Sequence, residues 1–230
     1  MLDIVMTAHH ANYKRMAHRG LKVVPGRESK KMVMGSLPTA VDLVGTPGKV
    51  VLSLEGGDRQ SFEPAEAYLQ SQALAWQIVH SNEVTSYKAS LMRGLEKCQS
   101  PLVAVIPAGI EVNDKLWVQR MIWAIGKDPT CLLCGTFETQ GAAKDLAPHI
   151  MGPRVWPGGE FFVARRDKLW QNLILSQEED FYDELAKAAA LNGWRIWVHP
   201  GVRFINHEHE KHARKTVGEE AGATTTGSHS

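Results

Sequence analysis

Short apolar runs alternate along this chain with stretches whose apolar residues recur at helical spacing. The apolar runs predict strands at 2–7, 49–54, 76–80, 102–106, 130–134, 160–164 and 194–199. Helical spacing predicts helices at 63–74 and 83–98, and another that Asn113-Asp114 caps and Asp128-Pro129 stops. This alternation predicts an α/β fold with a mostly parallel sheet and helices on both faces.

Length and composition limit the classes of protein that this chain can belong to. Its 230 residues carry a formal net charge of +1, so no general attraction to polyanions is expected. There is no apolar run long enough to span a bilayer and no signal-peptide pattern, which predicts a cytoplasmic protein without a membrane span. We expect one domain over 1–212 and a disordered tail over 213–230, where Gly, Thr, Ser and charge dominate.

The cysteines do not predict a disulfide framework, because there are only three of them. Cys131 and Cys134 form a C-x-x-C inside the apolar run 131–134. In a regular strand, residues three apart point to opposite faces of the sheet. We therefore interpret both as thiols of the core rather than as metal ligands or a redox pair.

A basic stretch lies between the first two predicted strands. Residues 10–31 contain a single acid, Glu28, and seven cations: Lys14, Arg15, Arg19, Lys22, Arg27, Lys30 and Lys31. Such a stretch suits a phosphate, either of a nucleotide or of a nucleic-acid backbone. A solvated surface loop is the alternative, and the sequence leaves both open.

A carboxylate pair, Glu179-Asp180, opens a helical stretch that ends at Gly193. An apolar strand follows, and then His207. A carboxylate held at a helix start beside a sheet can serve as a general base. Acids at a helix start also simply suit the helix dipole, which is the alternative interpretation.

The order of these segments, over residues 2–207, resembles that of the family-2 glycosyltransferases, which have the Rossmann-like GT-A fold. That family has a first strand leading to a nucleotide-contacting loop and a second strand ending in an acid. An asparagine then precedes a helix with a Gly-Leu-x-x-Cys ending, and here Asn82 precedes Gly94-Leu95-Glu96-Lys97-Cys98. Later come an acid pair, a Gly-aromatic-x-Ile strand and a histidine, here Glu179-Asp180, Gly193-Trp194-Arg195-Ile196 and His207.

The resemblance implies a role for each matching residue. The implied contacts to a nucleotide-sugar donor come from Thr7, Ala8, His9, Glu55, Asp58, Asn82, Pro107, Ala108 and Gly109. Asp180 is the implied general base, with Glu179 beside it, and a single base acting on the acceptor implies inversion at the anomeric carbon. Gly158 and Gly159 would let the backbone approach an acceptor sugar, and Trp156 would either stack on that sugar or pack in the core.

One departure from the family concerns the metal. Where the family carries Asp-x-Asp, this chain reads Pro107-Ala108-Gly109, followed two residues later by Glu111. A cation such as Mn²⁺ or Mg²⁺ prefers carboxylate oxygens when it neutralises a diphosphate. Either Glu111 and His207 are displaced metal ligands, or the metal is lost and cationic side chains such as the basic stretch replace it. A third alternative is that catalysis itself is lost.

The leading hypothesis is therefore a glycosyltransferase that moves a sugar from a nucleotide-sugar donor to an acceptor hydroxyl. The acceptor is open: a saccharide, a protein, a small molecule or a hydroxylated base in DNA, with the basic stretch keeping a nucleic-acid partner in consideration. A non-catalytic GT-A-like domain that binds nucleotide, sugar or nucleic acid is the alternative. A nucleotidyltransferase would need a glycine-rich basic signature after the first strand, which Thr7-Ala8-His9-His10 is not.

Overall fold

The computed structural model describes residues 1–8, 27–44, 47–56, 59–83, 85–136, 149–150, 161–176, 181–199, 201–202 and 204–206. Its strands are β1 (Leu2–Ala8), β2 (Lys49–Glu55), β3 (Ala75–Ser81), β4 (Leu102–Pro107), β5 (Ile110–Val112), β6 (Cys131–Gly135), β7 (His149–Ile150), β8 (Phe162–Arg165), β9 (Arg195–Val198) and β10 (Phe204–Asn206). Its α-helices are α1 (Arg27–Val44), α2 (Glu63–Ser71), α3 (Tyr87–Leu95), α4 (Trp117–Lys127), α5 (Arg166–Leu175) and α6 (Phe181–Leu191), and a 3-10 helix (Arg59–Phe62) precedes α2.

The described strands form one large sheet and one small one. The order in the large sheet is β3-β2-β1-β4-β8-β6-β9-β7, and β5 pairs with β10 in the small one. Strands β1, β2, β3, β4, β6 and β9 run in the same direction, while β8 and β7 run against them. The mostly parallel α/β fold that the sequence predicts is confirmed. We call the side where the parallel strands end the carboxyl edge.

The core is divided between the two faces of the large sheet. On one face, α1, α2 and α4 cover the side chains that Ile4 and Met6 present from β1. On the other face, α3, α5 and α6 cover Val5 of β1 and the side chains that Val103 and Val105 present from β4. Alternation along each strand supplies apolar side chains to both layers, which is why the central strands read as continuous apolar runs.

Two predicted helix starts are wrong by several residues. The helix predicted over 83–98 begins only at Tyr87, because the Ser86 hydroxyl accepts from the Ala89 amide at 3.2 Å and caps it there. The predicted cap at Asn113-Asp114 is also too early. The Asp114 carboxylate instead accepts from the Leu116 amide at 2.9 Å, closing a turn before α4.

The C-x-x-C lies in the core as predicted, but its predicted geometry is wrong. Cys131 and Cys134 are free and fully buried. A register shift between Cys131 and Leu133 adds one residue to β6 opposite β9, which is the signature of a bulge. Both thiols therefore join the same core cluster, while Leu132 and Leu133 join the other. Burial raises the pKa of Cys131 to about 12, so the thiol stays protonated at neutral pH.

Several predictions fall on residues outside the described part of the chain. They are His9, Asp58, Trp156, Gly158, Gly159, Glu179, Asp180, His207, most of the basic stretch and the tail over 213–230. The predicted single domain over 1–212 likewise stays a prediction. No helix in the described residues has both the length and the apolar character needed to cross a membrane.

Candidate active site at the carboxyl edge

Three neighbouring strands bring the predicted donor-binding residues to one place. In the register, Thr7 of β1 lies between Ser53 of β2 and Pro107 of β4, and Glu55 follows Ser53 by two residues on the same face. Open α/β sheets bind ligands outside the carboxyl ends of their strands. The structure thus gathers Thr7, Ala8, Glu55 and Pro107 at the carboxyl edge.

Thr7 carries a buried hydroxyl near the end of β1. Its side chain is 1% exposed, and its Oγ1 has no hydrogen-bond partner among the described residues. The neighbouring Ser53, by contrast, donates its hydroxyl to the Ser90 carbonyl oxygen at 2.7 Å. An unpaired buried hydroxyl costs about 1–3 kcal/mol, so a hydroxyl left unpaired one residue from a strand end is a candidate ligand contact.

The turn after β4 is held from two sides. The Ala108 amide donates to the Thr7 carbonyl oxygen at 2.7 Å, and the Gly109 amide donates to Ser36 Oγ at 2.8 Å. Gly109 has a φ of +99°, a conformation that favours glycine. Ser36 is fully buried on α1, and Thr39 on the same helix accepts from the Val112 amide at 3.4 Å. Helix α1 therefore fixes both the turn and β5.

The chemistry of this turn does not fit a divalent cation. Pro107, Ala108 and Gly109 offer no side-chain oxygen where the family carries two carboxylates. Glu111 is half-buried on β5, opposite Ile205 of β10. Within the described residues, no group of three His, Cys, Asp or Glu side chains is arranged to hold a metal ion.

Glu55 is buried and has protein partners at the end of β2. Its carboxylate accepts from the Thr85 amide at 3.0 Å and from the Thr85 hydroxyl, and it contacts the Arg93 guanidinium. Arg93 also donates to Thr85 Oγ1 at 3.1 Å. This network joins α3 to β2 at the carboxyl edge. Removing one partner would leave a buried charge unpaired, which is strongly destabilising. Asn82 is exposed just after β3.

The first turn of α3 holds both ends of the segment 177–180. Lys88 Nζ donates to the Ser176 carbonyl oxygen at 2.6 Å, just before that segment. Just after it, the Phe181 ring lies 4.9 Å from the Tyr87 ring in an edge-on arrangement. Since α3 follows β3, its first turn lies at the carboxyl edge, and the chain enters and leaves 177–180 there.

Sequence reasoning missed the residues that support these elements. Ser36 lies in a helix that the sequence did not predict, so nothing indicated that it would reach Gly109. Thr85 and Arg93 lie inside the helix predicted over 83–98, and that prediction used only the spacing of the apolar residues. A buried acid at the end of β2 was itself the available signal, because such a carboxylate requires a cationic or hydrogen-bonding partner nearby.

Comparisons with known proteins give the fold but no family assignment. No family model matches the chain, and no curated protein sequence matches it. A nucleotidyl transferase from Methanothermobacter thermautotrophicus is similar in structure over 88% of both chains, with 15% identity and a TM-score of 0.58. TarS of S. aureus, residues 1–349, is similar over 88% of this chain, with 12% identity and a TM-score of 0.61. A mannosyltransferase from Pyrobaculum calidifontis, in complex with GDP-Man and Mn²⁺, is similar over 86% of this chain, with 14% identity and a TM-score of 0.60.

These structures differ in how much of their own length the chain spans. It spans 88% of the nucleotidyl transferase, but 59% of the TarS chain and 54% of the mannosyltransferase. The similarity shows that the chain has the fold shared by GT-A-like glycosyltransferases and nucleotidyltransferases. The similarity does not distinguish between the two reactions.

Proposed function

We propose that the chain is a glycosyltransferase that moves a sugar from a nucleotide-sugar donor to an acceptor hydroxyl with inversion. The observation that carries the proposal is the attachment of both ends of the segment 177–180 to the first turn of α3, through Lys88–Ser176 and Tyr87–Phe181. That segment contains Glu179-Asp180, and its anchors lie at the same edge as Thr7 and Glu55. A donor site and a base beside one edge are what sugar transfer requires.

In the proposed reaction, the acceptor oxygen attacks the anomeric carbon of the donor. The new carbon–oxygen bond forms as the bond from that carbon to the diphosphate breaks, and the nucleoside diphosphate leaves. The acceptor proton passes to the Asp180 carboxylate, with Glu179 beside it. Attack from the face opposite the leaving group inverts the anomeric centre.

The donor is proposed to lie over the ends of β1, β2 and β4. Thr7 has a hydroxyl without a partner among the described residues, and Gly109 offers a turn without side-chain bulk. The other proposed donor contacts are Ala8, His9, Glu55, Asp58, Asn82, Pro107 and Ala108. The proposed acceptor contacts are Trp156, Gly158 and Gly159. The GDP-Man in the mannosyltransferase structure supports a nucleotide sugar as donor for a protein of this fold.

A nucleotidyltransferase is the second candidate, favoured by the 88% mutual coverage with the nucleotidyl transferase. Incubation with a panel of nucleotide sugars tests the choice: slow hydrolysis of one donor is expected from a glycosyltransferase. Release of pyrophosphate from a nucleoside triphosphate and a sugar phosphate would favour the second candidate. Binding without turnover in either assay would favour the non-catalytic domain. The acceptor, whether a saccharide or a hydroxylated base in DNA, stays a prediction.

Binding of the nucleoside diphosphate is expected not to depend on Mn²⁺ or Mg²⁺. The reason is that Pro107, Ala108 and Gly109 replace the carboxylates that would hold the cation. Calorimetric titration of uridine, guanosine and cytidine diphosphates, with and without EDTA, measures this. A large loss of affinity on chelation would contradict the expectation and would make Glu111 and His207 the first ligands to test.

Replacing Ser36 with alanine is expected to weaken nucleoside diphosphate binding as well as folding. The Gly109 amide would lose its buried acceptor, at a cost of about 1–3 kcal/mol, and the turn would be freed. Ser100→Ala is the matched control, because Ser100 is also buried and donates to Asp3 at the opposite edge. Urea unfolding should show comparable losses for both variants, and calorimetry a loss of affinity for Ser36→Ala alone. Equal affinities would limit Ser36 to a role in stability.

A further inference from the structure

A second polar cluster, formed by Arg120 and His199, lies at the carboxyl edge away from β1. His199 directly follows β9, and its amide donates to the Gly135 carbonyl oxygen at the end of β6 at 3.0 Å. Arg120 lies in the first turns of α4, which packs against β6 and β8. In the strand order, β9 is four strands from β1, roughly 19 Å at the usual strand spacing.

The imidazole of His199 is buried. The residue is 6% exposed, and its Nδ1 makes no hydrogen bond with the described residues. A buried ring nitrogen that pairs with nothing is costly, because it has lost its bonds to water. The unpaired atom is therefore a feature that a ligand would satisfy.

The Arg120 guanidinium lies at the same place. Its Nε lies 3.2 Å from Asp114 Oδ2, and among the described residues no side chain or backbone group accepts from its other guanidinium nitrogens. A Cβ built on Gly201 would lie 2.8 Å from Arg120 Nη1 and 3.5 Å from His199 Nδ1. Glycine at 201 thus leaves the guanidinium and the imidazole side by side.

Two opposite charges act on His199. Burial and the Arg120 charge lower the pKa of His199, while Asp114 opposes that shift. An anion between the two side chains would accept from Arg120, neutralise its field and let the imidazole donate as well.

We propose that Arg120 and His199 form a subsite for an anionic group, a phosphate or a carboxylate, carried by the acceptor. This proposal deepens the proposed function and rests on it, since the molecule that carries the anion is the acceptor of the proposed sugar transfer. The Gly109 turn, where the donor diphosphate is proposed to lie, follows β4, and β9 is three strands from β4, roughly 14 Å at the usual strand spacing. This separation favours the acceptor over the donor diphosphate as the occupant.

Histidine-detected NMR with inorganic phosphate as the probe tests the subsite. The His199 imidazole signals, assigned by their loss in His199→Gln, should shift as phosphate is added, and its pKa should rise. Sodium chloride at equal ionic strength should not reproduce this. Arg120→Gln should weaken phosphate binding about tenfold or more. The control is Arg195→Gln, because Arg195 lies at the start of β9, the strand that precedes His199, and is also paired with an aspartate. It should bind like the parent.

Gly201→Ala provides a second variant that keeps every charge. Its methyl group would displace the flexible end of Arg120, so phosphate binding should fall without loss of fold. No phosphate-dependent shift of His199 in the parent protein would overturn the proposal, as would full binding by Arg120→Gln.

Uridine diphosphate separates the two sources of the anion. Its affinity should be unchanged in Arg120→Gln if the subsite serves the acceptor, whereas a parallel loss would assign the site to the donor and overturn the acceptor role. The phosphate titration needs no turnover. If every nucleotide sugar stays intact while His199 still responds to phosphate, the proposed function fails and the anion site stands.

Discussion

Replacing Asp180 with asparagine is expected to lower sugar transfer by roughly 10²-fold or more while leaving donor affinity almost unchanged. Asparagine keeps the size of the side chain and most of its hydrogen bonding but cannot take a proton at neutral pH. The base acts on the acceptor hydroxyl, so donor binding has no reason to change. Initial rates with the best donor of the panel, together with calorimetric donor affinities, measure the two effects separately.

Asp183→Asn is the matched control for that experiment. Asp183 is exposed in the first turn of α6, and it lies three residues after Asp180 in the sequence, so its replacement makes the same chemical change close by in the chain. It should transfer sugar at close to the parental rate. A folded Asp180→Asn protein with near-parental transfer would refute the assignment, and Glu179→Gln would be tested next.

The large sheet could be predicted because the sequence of each central strand shows that the strand is buried. β1, β2 and β4 are buried on both faces, so their apolar runs in the sequence are nearly unbroken. Their ends then place Thr7, Glu55 and Pro107 at one edge by topology alone, since parallel strands end on the same side. That part of the candidate site follows from the sequence.

The small sheet could not be predicted, because its strands depend on partners distant in the chain. β5 and β10 have three residues each, and about ninety residues separate them in the sequence. The bulge in β6 is similar, because the extra residue is defined only by the register against β9. Such features are set by tertiary pairing, and a short sequence window carries no signal for them.

Helix α1 was not predicted, because its composition resembles that of the loop before it. Its first turns read as part of the basic stretch, so Ser36 was not placed in a helix, although that residue holds the Gly109 turn. The environment of His199 Nδ1, which has no partner among the described residues, could not be predicted either, because it combines β9, α4 and Gly201. The strand ends could be predicted from the sequence, whereas the contacts that support them are visible only in the structure.

Charge reversal of Lys14, Arg15 and Arg19 to glutamate is expected to weaken nucleoside diphosphate binding strongly at low salt. Helix α1 runs from the carboxyl edge toward β2, and Ser36 lies level with the Gly109 turn. The nine helical residues before Ser36 therefore extend roughly 13 Å beyond that turn. Lys14, Arg15 and Arg19 belong to the segment 9–26, which joins the end of β1 to the start of this helix. Both flanking elements lie on the side of the carboxyl edge, where cations would replace the metal.

Reversal of Lys127, Lys168 and Lys187 to glutamate is the control, because it makes the same change in net charge from helices α4, α5 and α6. Calorimetric titration of both variants with the nucleoside diphosphate, at low and high salt, distinguishes a local contact to the phosphates from an effect of net charge. The effect of the first triple variant should shrink as salt rises, since the Debye length falls from about 30 Å at 0.01 M to about 3 Å at 1 M. The control should bind nearly as the parent protein does. If neither diphosphate nor single-stranded DNA binds more weakly to the first variant at low salt, the stretch has no part in phosphate binding and the leaving group must be stabilised by other residues.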